Sequence, residues 1–387
     1  MKKTKSAILV MLGALVLATV AILSCKKDSV TPGPAAPVIS SFTPTHAGPG
    51  ATITITGTNF TGATAVSFGG TAATSFTVVS STSITAVLAQ GATGSVSVIT
   101  AGGTATLAGF TYDAPLPNVD GYASSNEVEA PSLIAHWPFD GNLTETIHTS
   151  TPVLTGGSQT FVTGRIGQAV HLAAGWMTYG PQATAASASN TPYNSNDTLQ
   201  NGFTISVWAQ VPATALLSNL FQLSAPNIPN WPILGLNYRK HADSTFDIDG
   251  GLANVDGTGP HLTYAAAFME PAFRDSLAWA HIAITYDGSD KTMRYYANGI
   301  LRRTINLITL PGGPFPDPAA SLLMIAPNYA TIGTFEANGR TPGDASTTIP
   351  GFMADGITGN VDDIRFFRKR LTDQKISDLY ILGNQGR

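Results

Sequence analysis

The chain has 387 residues, a formal net charge of −4, and only 11% charged residues against 39 glycines and 25 prolines. That length can hold two or three domains that each bury a core. With no basic block it lacks the footprint of a nucleic-acid binder, and without Lys-, Glu- and Leu-rich runs it lacks the makings of amphipathic helices. Abundant Gly, Thr, Ser and Ala point instead to an all-β chain with many turns.

Residues 1–25 read as a signal peptide. Lys2, Lys3 and Lys5 form a positive start, Ala7 to Leu23 is apolar, and the run ends at Ile22-Leu23-Ser24-Cys25. A small residue directly before a cysteine resembles a bacterial lipobox, which implies that the Cys25 thiol is acylated and becomes the mature N-terminus. A plain signal anchor of marginal length is the alternative. Cys25 is the only cysteine, which leaves no internal disulfide and no cysteine-built zinc site. Lys26-Lys27-Asp28 resembles the short charged tail of Bacteroidota lipoproteins, implying an outer-membrane or cell-surface location with the acyl chains as membrane anchor. The three lysines are the only charges in 1–25, so the mature body would carry −7 instead of −4.

Residues 26–36 form a spacer, including most of the Pro/Gly/Ala-rich stretch "SVTPGPAAP". From 37 to 113 short alternating strands are predicted, "TITITGTNF", "AVSFGG", "SFTVVSSTSITAVL" and "GSVSVITAGGTATL", with turns at the spacing of a small β-sandwich. The pieces Phe42-Thr43-Pro44, Gly48, Gly50, Ile53 to Phe60 and Val66 to Gly70 resemble an IPT/TIG domain, which implies an immunoglobulin-like fold acting as a spacer. Between Asp28 and Asp113 there is one histidine, His46, and no Lys or Arg, so contact with nucleic acid is excluded here. Residues 114–131, polar with three prolines, read as a linker.

Residues 132–387 are expected to form one large β-sandwich. Alternation is clear at "FTISVWAQV" (203–211), where Phe203, Ile205, Val207 and Ala209 share a side, and recurs at 279–288, 293–305 and 359–367. The one helix signal is "TDQKISDLYIL", capped by Thr372. In order, "LIAHWPFDGN", "GRIGQAVHL", "FTISVWAQV", "WAHIAITYDGSDKTMRYYANG", "IGTF" and "GFMADGITGNVDDIRFFRKRLTDQKISDLY" resemble the LamG-like jelly roll of the concanavalin A-like superfamily. The chain departs from that pattern at "LTETIHTSTPVL", where a second Asp and a Ser-Gly are usual, and in a long insert from Ser224 to Asp275, expected to be irregular.

Asp140 in "AHWPFDGN" admits two readings. It is the turn that ends a strand, since Asp and Asn bond their own backbone and Gly takes positive φ. Or, as the resemblance implies, it holds a structural Ca²⁺ together with Asp362 or Asp363 of "NVDDIRFF". No catalytic residue is expected. The five glutamates, Glu127, Glu129, Glu145, Glu270 and Glu336, do not alternate along one strand as a glycosidase pair would. "DIDGGLANVDG" (247–257) reads as a Gly/Asp turn pair. Trp137, Trp208 and Trp279 read as core. Trp176 and Trp231 lie off the family strands, and each either stacks on a sugar ring or pins its loop. Asn237, Tyr238 and Arg239 are the polar companions of Trp231. These residues make carbohydrate binding the leading function, with an extracellular protein as another ligand. A glycoside hydrolase and a protein-binding adhesin are the alternatives, because this fold hosts all three.

Overall fold

The computed structural model describes residues 33–91, 93–180, 199–212, 218–224, 234–240, 246–255, 260–265, 269–270, 279–311, 313–315, 317–322, 329–334 and 356–387. Cys25, the signal peptide and Trp231 lie outside them. By its contacts the chain divides into two units, with the boundary between Pro117 and Asn118.

The first unit carries β1 (Val38–Thr43), β2 (His46–Ala47), β3 (Thr52–Thr58), β4 (Ala65–Phe68), β5 (Thr71–Ala72), β6 (Ser75–Ser80), β7 (Ser83–Val87), β8 (Gly94–Thr100) and β9 (Gly103–Tyr112). They form two sheets, ordered β1-β3-β7-β6 and β2-β9-β8-β4-β5. Strict alternation sets the inner side: Ile53 and Ile55 of β3 are buried, while Thr52, Thr54 and Thr56 alternate with them on the other side. With Phe60, Phe68, Ile84, Val96, Val98 and Phe110 they make one core of an immunoglobulin-like sandwich. Gly57 is required because a Cβ there would lie 1.9 Å from the Val38 carbonyl oxygen.

The second unit is a jelly-roll-like sandwich. Its strands are β10 (Leu133–Trp137), β11 (Leu154–Thr163), β12 (Gln168–Tyr179), β13 (Gly202–Gln210), β14 (Ser218–Ser224), β15 (Leu234–Lys240), β16 (Phe246–Val255), β17 (Pro260–Ala265), β18 (Met269–Glu270), β19 (Ala280–Asp287), β20 (Thr292–Ala297), β21 (Ile300–Asn306), β22 (Tyr329–Ile332) and β23 (Ile357–Phe367). Besides two short 3₁₀ turns at Ser125–Glu127 and Ala130–Ser132, it carries the α-helix α1 (Asp373–Asn384). Strand β12 joins the two layers: Val170 to Gly175 pair with β23, and Met177 to Tyr179 pair with β22. On the β23 side the order runs β23-β13-β19-β20-β21; on the other it runs β22-β14-β15-β16-β17.

Between the layers Phe203, Ile205, Val207 and Ala209 meet Leu234, Leu236, Tyr238 and Ile248 in one core. Trp137 sits fully inside it, with ring centroids 5.5 Å from Tyr179 and 5.4 Å from Phe221. The hydroxyl of Tyr295 donates to the Gly250 carbonyl at 2.9 Å. The opposite side of β13 is covered by α1. Trp208 is buried there, stacked on Tyr380 at 5.7 Å, and α1 passes so close that a Cβ on Gly383 would lie 2.6 Å from its indole nitrogen. Trp208 is therefore core, but of the helix-facing layer. Trp279 is only half-buried. Thr372 caps α1, its hydroxyl accepting from Lys375 N at 3.3 Å.

Three expectations need correction. The insert 224–275 contributes β15 to β18, and the stretch read as a Gly/Asp turn pair lies mostly in β16; "LGLNY" and "DIDGGL" alternate in period two despite their glycines. The segment 114–131 is a linker only in its first residues. From Asn118 onward it packs on the second unit, with Val128 buried against Phe367, Leu371 and Ile376.

Candidate functional site

The turn after β10 and the start of β23 converge on the hairpin between β11 and β12, "GRIGQ" at 164–168. Phe139 holds φ 57° with its ring buried, and Gly141 follows at φ 74°, which swings the Asp140 carboxylate toward that hairpin. Asp140 Oδ1 accepts from Gln168 N at 2.7 Å. Gly167, at φ 59°, leaves room for it; a Cβ there would lie 2.1 Å from Oδ1. From β23, Asp362 Oδ2 accepts from Arg165 N at 2.7 Å and Ile166 N at 3.0 Å. Two carboxylates thus grip one hairpin by three backbone amides.

Asp362 is fully buried, and its Oδ1 has no hydrogen-bond partner among the described residues. Burial, then the neighbouring Asp363 and more weakly Asp140, push its pKa up to about 8, against the pull of the two amides. Asp363 belongs to a different cluster. It bonds His136 Nε2 at 2.7 Å and Arg365 Nε at 2.8 Å. Burial opposes its charge, but Arg365 and the bond to His136 outweigh that and hold it below the usual carboxylate range. The strict alternation assumed for "NVDDIRFF" fails here. The register against β13 slips between Ser206 and Trp208, and Asp363 takes φ 49°, a β-bulge that breaks the simple in/out pattern of the two acids.

The three candidate calcium ligands are therefore not brought together. Asp140 and Asp362 share the hairpin, with N–H donors pointing at them where a cation would need acceptors, and Asp363 is paired elsewhere. No group of three or more His, Cys, Asp or Glu that could hold a metal occurs among the described residues. Among the described residues these donors fall short of the six to eight oxygens that Ca²⁺ takes, and Asp140 has the geometry of a turn residue.

Glu145, singled out by the sequence only as an unlikely catalyst, is the organising acid of the opening loop. It is fully buried; Oε1 accepts from His136 N (2.9 Å) and Ile147 N (2.8 Å), and Oε2 from His148 N (2.9 Å) with His148 Nδ1 at 3.0 Å. Its signal was a single acid in an otherwise neutral "LTETIHTS".

Of the expected sugar-binding residues, Trp231 lies outside the described residues and the others fall on β12 and β15. Trp176 lies in β12, not in a loop, half-buried over Gly156, where a Cβ would lie 2.2 Å from the indole nitrogen. That is a pin. Tyr238 is 4% exposed and faces the core, its hydroxyl raised by burial. Arg239 is placed in β15, opposite Asp247. Asn237 faces away from the core into a polar array, which the sequence expectation missed. Along β14 to β16 the apolar residues Leu223, Leu234, Leu236, Ile248 and Leu252 face inward, so their alternates face the other side. There Thr178, Thr331, Gln222, Gly235 and Gly251 stand in register across five strands, and Asn219, Asn237 and Asp249 form a second row. Asn219 Nδ2 donates to Asn237 Oδ1 at 2.9 Å. Asn219 Oδ1 is buried with no partner among the described residues. The period-two spacing of "SNLFQLS" and "LGLNY" was the available signal.

Residues 37–113 match the family model described as IPT/TIG domain, and that segment is one. Comparison with curated proteins gave no match. Among solved structures the chain is similar to the binding domain of botulinum neurotoxin DC in complex with rat synaptotagmin II, at 15% identity and TM-score 0.41, covering 66% of this chain and 52% of that one. It is similar also to a SAP-like pentraxin from Limulus polyphemus, at 17% identity and TM-score 0.32, covering 46% and 68%. A third is domain 4 of AbnA, a GH43 extracellular arabinanase from Geobacillus stearothermophilus in complex with arabinotriose, at 17% identity and TM-score 0.37, covering 64% and 98%. The chain spans about half the length of the neurotoxin chain.

Proposed function

We propose that the chain is a lipid-anchored outer-membrane or cell-surface protein whose large domain binds a carbohydrate, with the IPT/TIG domain as spacer. The anchor reading is supported by the lysine start, the apolar run and the single cysteine at its end. The ligand reading is carried by one observation, the buried polar rows on the side of β14 to β16 turned away from the apolar core. Asn219 and Asn237 place two amides side by side, and Asn219 Oδ1 is left over. An amide donates and accepts from one group, as sugar hydroxyls do. Gly235 and Gly251 leave their end of the first row without side chains, and Asp249 of the second row adds an acceptor. Trp231 stays within the proposal as the stacking aromatic.

A glycan array probed with residues 33–387, followed by calorimetry on the sugars retained, tests it. Asn219→Leu with Asn237→Leu removes both partners of one bond and substitutes apolar groups of similar size, a change close to neutral for folding. The double variant is expected to keep its melting temperature within a few degrees and to lose roughly tenfold or more in affinity. Retention of no sugar at all, or full binding by the double variant, overturns the reading.

A further inference from the structure

We infer that the outer edge of β6 in the IPT/TIG domain is a docking edge for the same edge of a second copy of this chain. Strand β6 ends the β1-β3-β7-β6 sheet, and no described strand pairs with its outer side. Proteins normally guard such an edge with charge, proline or brevity, because its free N–H and C=O groups template another strand. The other edges of the domain are guarded in those ways. Strands β2 and β5 have two residues each, and β1 is framed by Pro37 and Pro44 and carries a register shift between Ile39 and Ser41.

Strand β6 has none of these guards except a register shift near its end, between Val78 and Ser80. Its six residues, Ser75 to Ser80, contain no charge, no proline and no glycine, and three of them, Thr77, Val78 and Val79, are β-branched. Phe76 and Val78 lean on the domain core, while Ser75, Thr77, Val79 and Ser80 are exposed, Val79 by 61%. In sequence, the nearest acidic or basic side chains are His46 and Asp113.

Charge decides the occupant. An edge that carries no charge has nothing with which to select a charged partner, and nothing that repels its own copy. Two β6 edges laid antiparallel bring Ser, Thr and Val opposite Ser, Thr and Val, neutral pairs that stabilise a ladder. The contact is two-fold and uses the same patch on both copies, so it closes after two chains. A six-residue edge buries less than a standard interface, which makes the pair weak and reversible in solution. If the anchor proposed above holds copies on one membrane, the raised local concentration favours it.

Sedimentation velocity of residues 33–387, which hold all three hydrophobic clusters, tests this across a concentration series up to the solubility limit. The expected result is a reversible monomer–dimer equilibrium. Thr77→Lys with Val79→Lys sets like charges across the edge and should weaken the dimer by roughly tenfold or more. Both sites are exposed, so the thermal melt should not move. A variant with Glu at the same two positions should also be weakened, and an equal mixture of the Lys and Glu variants should pair again. A chain that is monomeric at every concentration, a dimer indifferent to the new charges, or a Lys/Glu mixture that stays monomeric overturns the inference.

Discussion

His281 lies behind Trp208, its Nε2 2.7 Å from Ser206 Oγ and its ring fully enclosed. Burial lowers its proton affinity to about 3, with Asp363 pulling the other way and Arg365 reinforcing the drop. The folded state refuses a proton that the unfolded chain accepts below the ordinary histidine value, so this contribution is full at neutral pH and is lost as pH falls toward about 3. Between about pH 7 and about pH 5 it should remove about 2 kcal/mol. Chemical denaturation of wild type and His281→Gln at both pH values checks it; the variant should lose less. Trp208→Ala should cost about 3–5 kcal/mol through the cavity it leaves under α1, read in the same assay. For the Asp140 and Asp362 hairpin, the expected outcome of EDTA is an unchanged melting temperature, because backbone amides already hold one oxygen of each carboxylate. Residue roles were legible where one side chain answers to one pattern, as with Phe203, Ile205 and Val207. Glu145 and Asp363 were not, since their partners are backbone amides and a bulge that no spacing encodes.

At the scale of elements the segment 118–132 behaves as a strap on the second unit. Arg365 Nη1 donates to the Ser125 carbonyl at 2.6 Å, and Nη2 to Ser125 Oγ and Asn126 Oδ1. Lys375 pairs with Asp120 at 2.7 Å and lies over the Tyr122 ring, and Lys369 pairs with Glu129. The surface pairs add little. The buried guanidinium matters more, because without the strap three of its bonds have no partner. A chain starting at residue 132 should therefore be less stable than one starting at 118 by at least about 3 kcal/mol, measured by urea unfolding of both. Sequence reading assigned this strap to a linker because prolines and polar residues mark turns equally well on a surface and between domains. Period-two alternation, by contrast, made β3, β13 and β19 plain. It was overlooked in β15 and β16, where glycine stands at the outward positions and blurs the pattern.

At the scale of the whole molecule both sandwiches were legible, because every strand must turn one side inward and the chain repeats that pattern in order. The membrane anchor can be checked directly: Cys25→Ser should abolish incorporation of a fatty-acid analogue, and label retained by the variant would contradict lipidation. A last consequence follows from the composition of the first domain. From Ser29 to Asp113 the only side chains that titrate below alkaline pH are His46 and Asp113, an exposed pair 3.0 Å apart that adds little to stability. Its stability is therefore nearly blind to acid and to salt. In a calorimetric scan it should supply a transition that stays put while that of the large domain moves, an internal thermometer built into the same polypeptide.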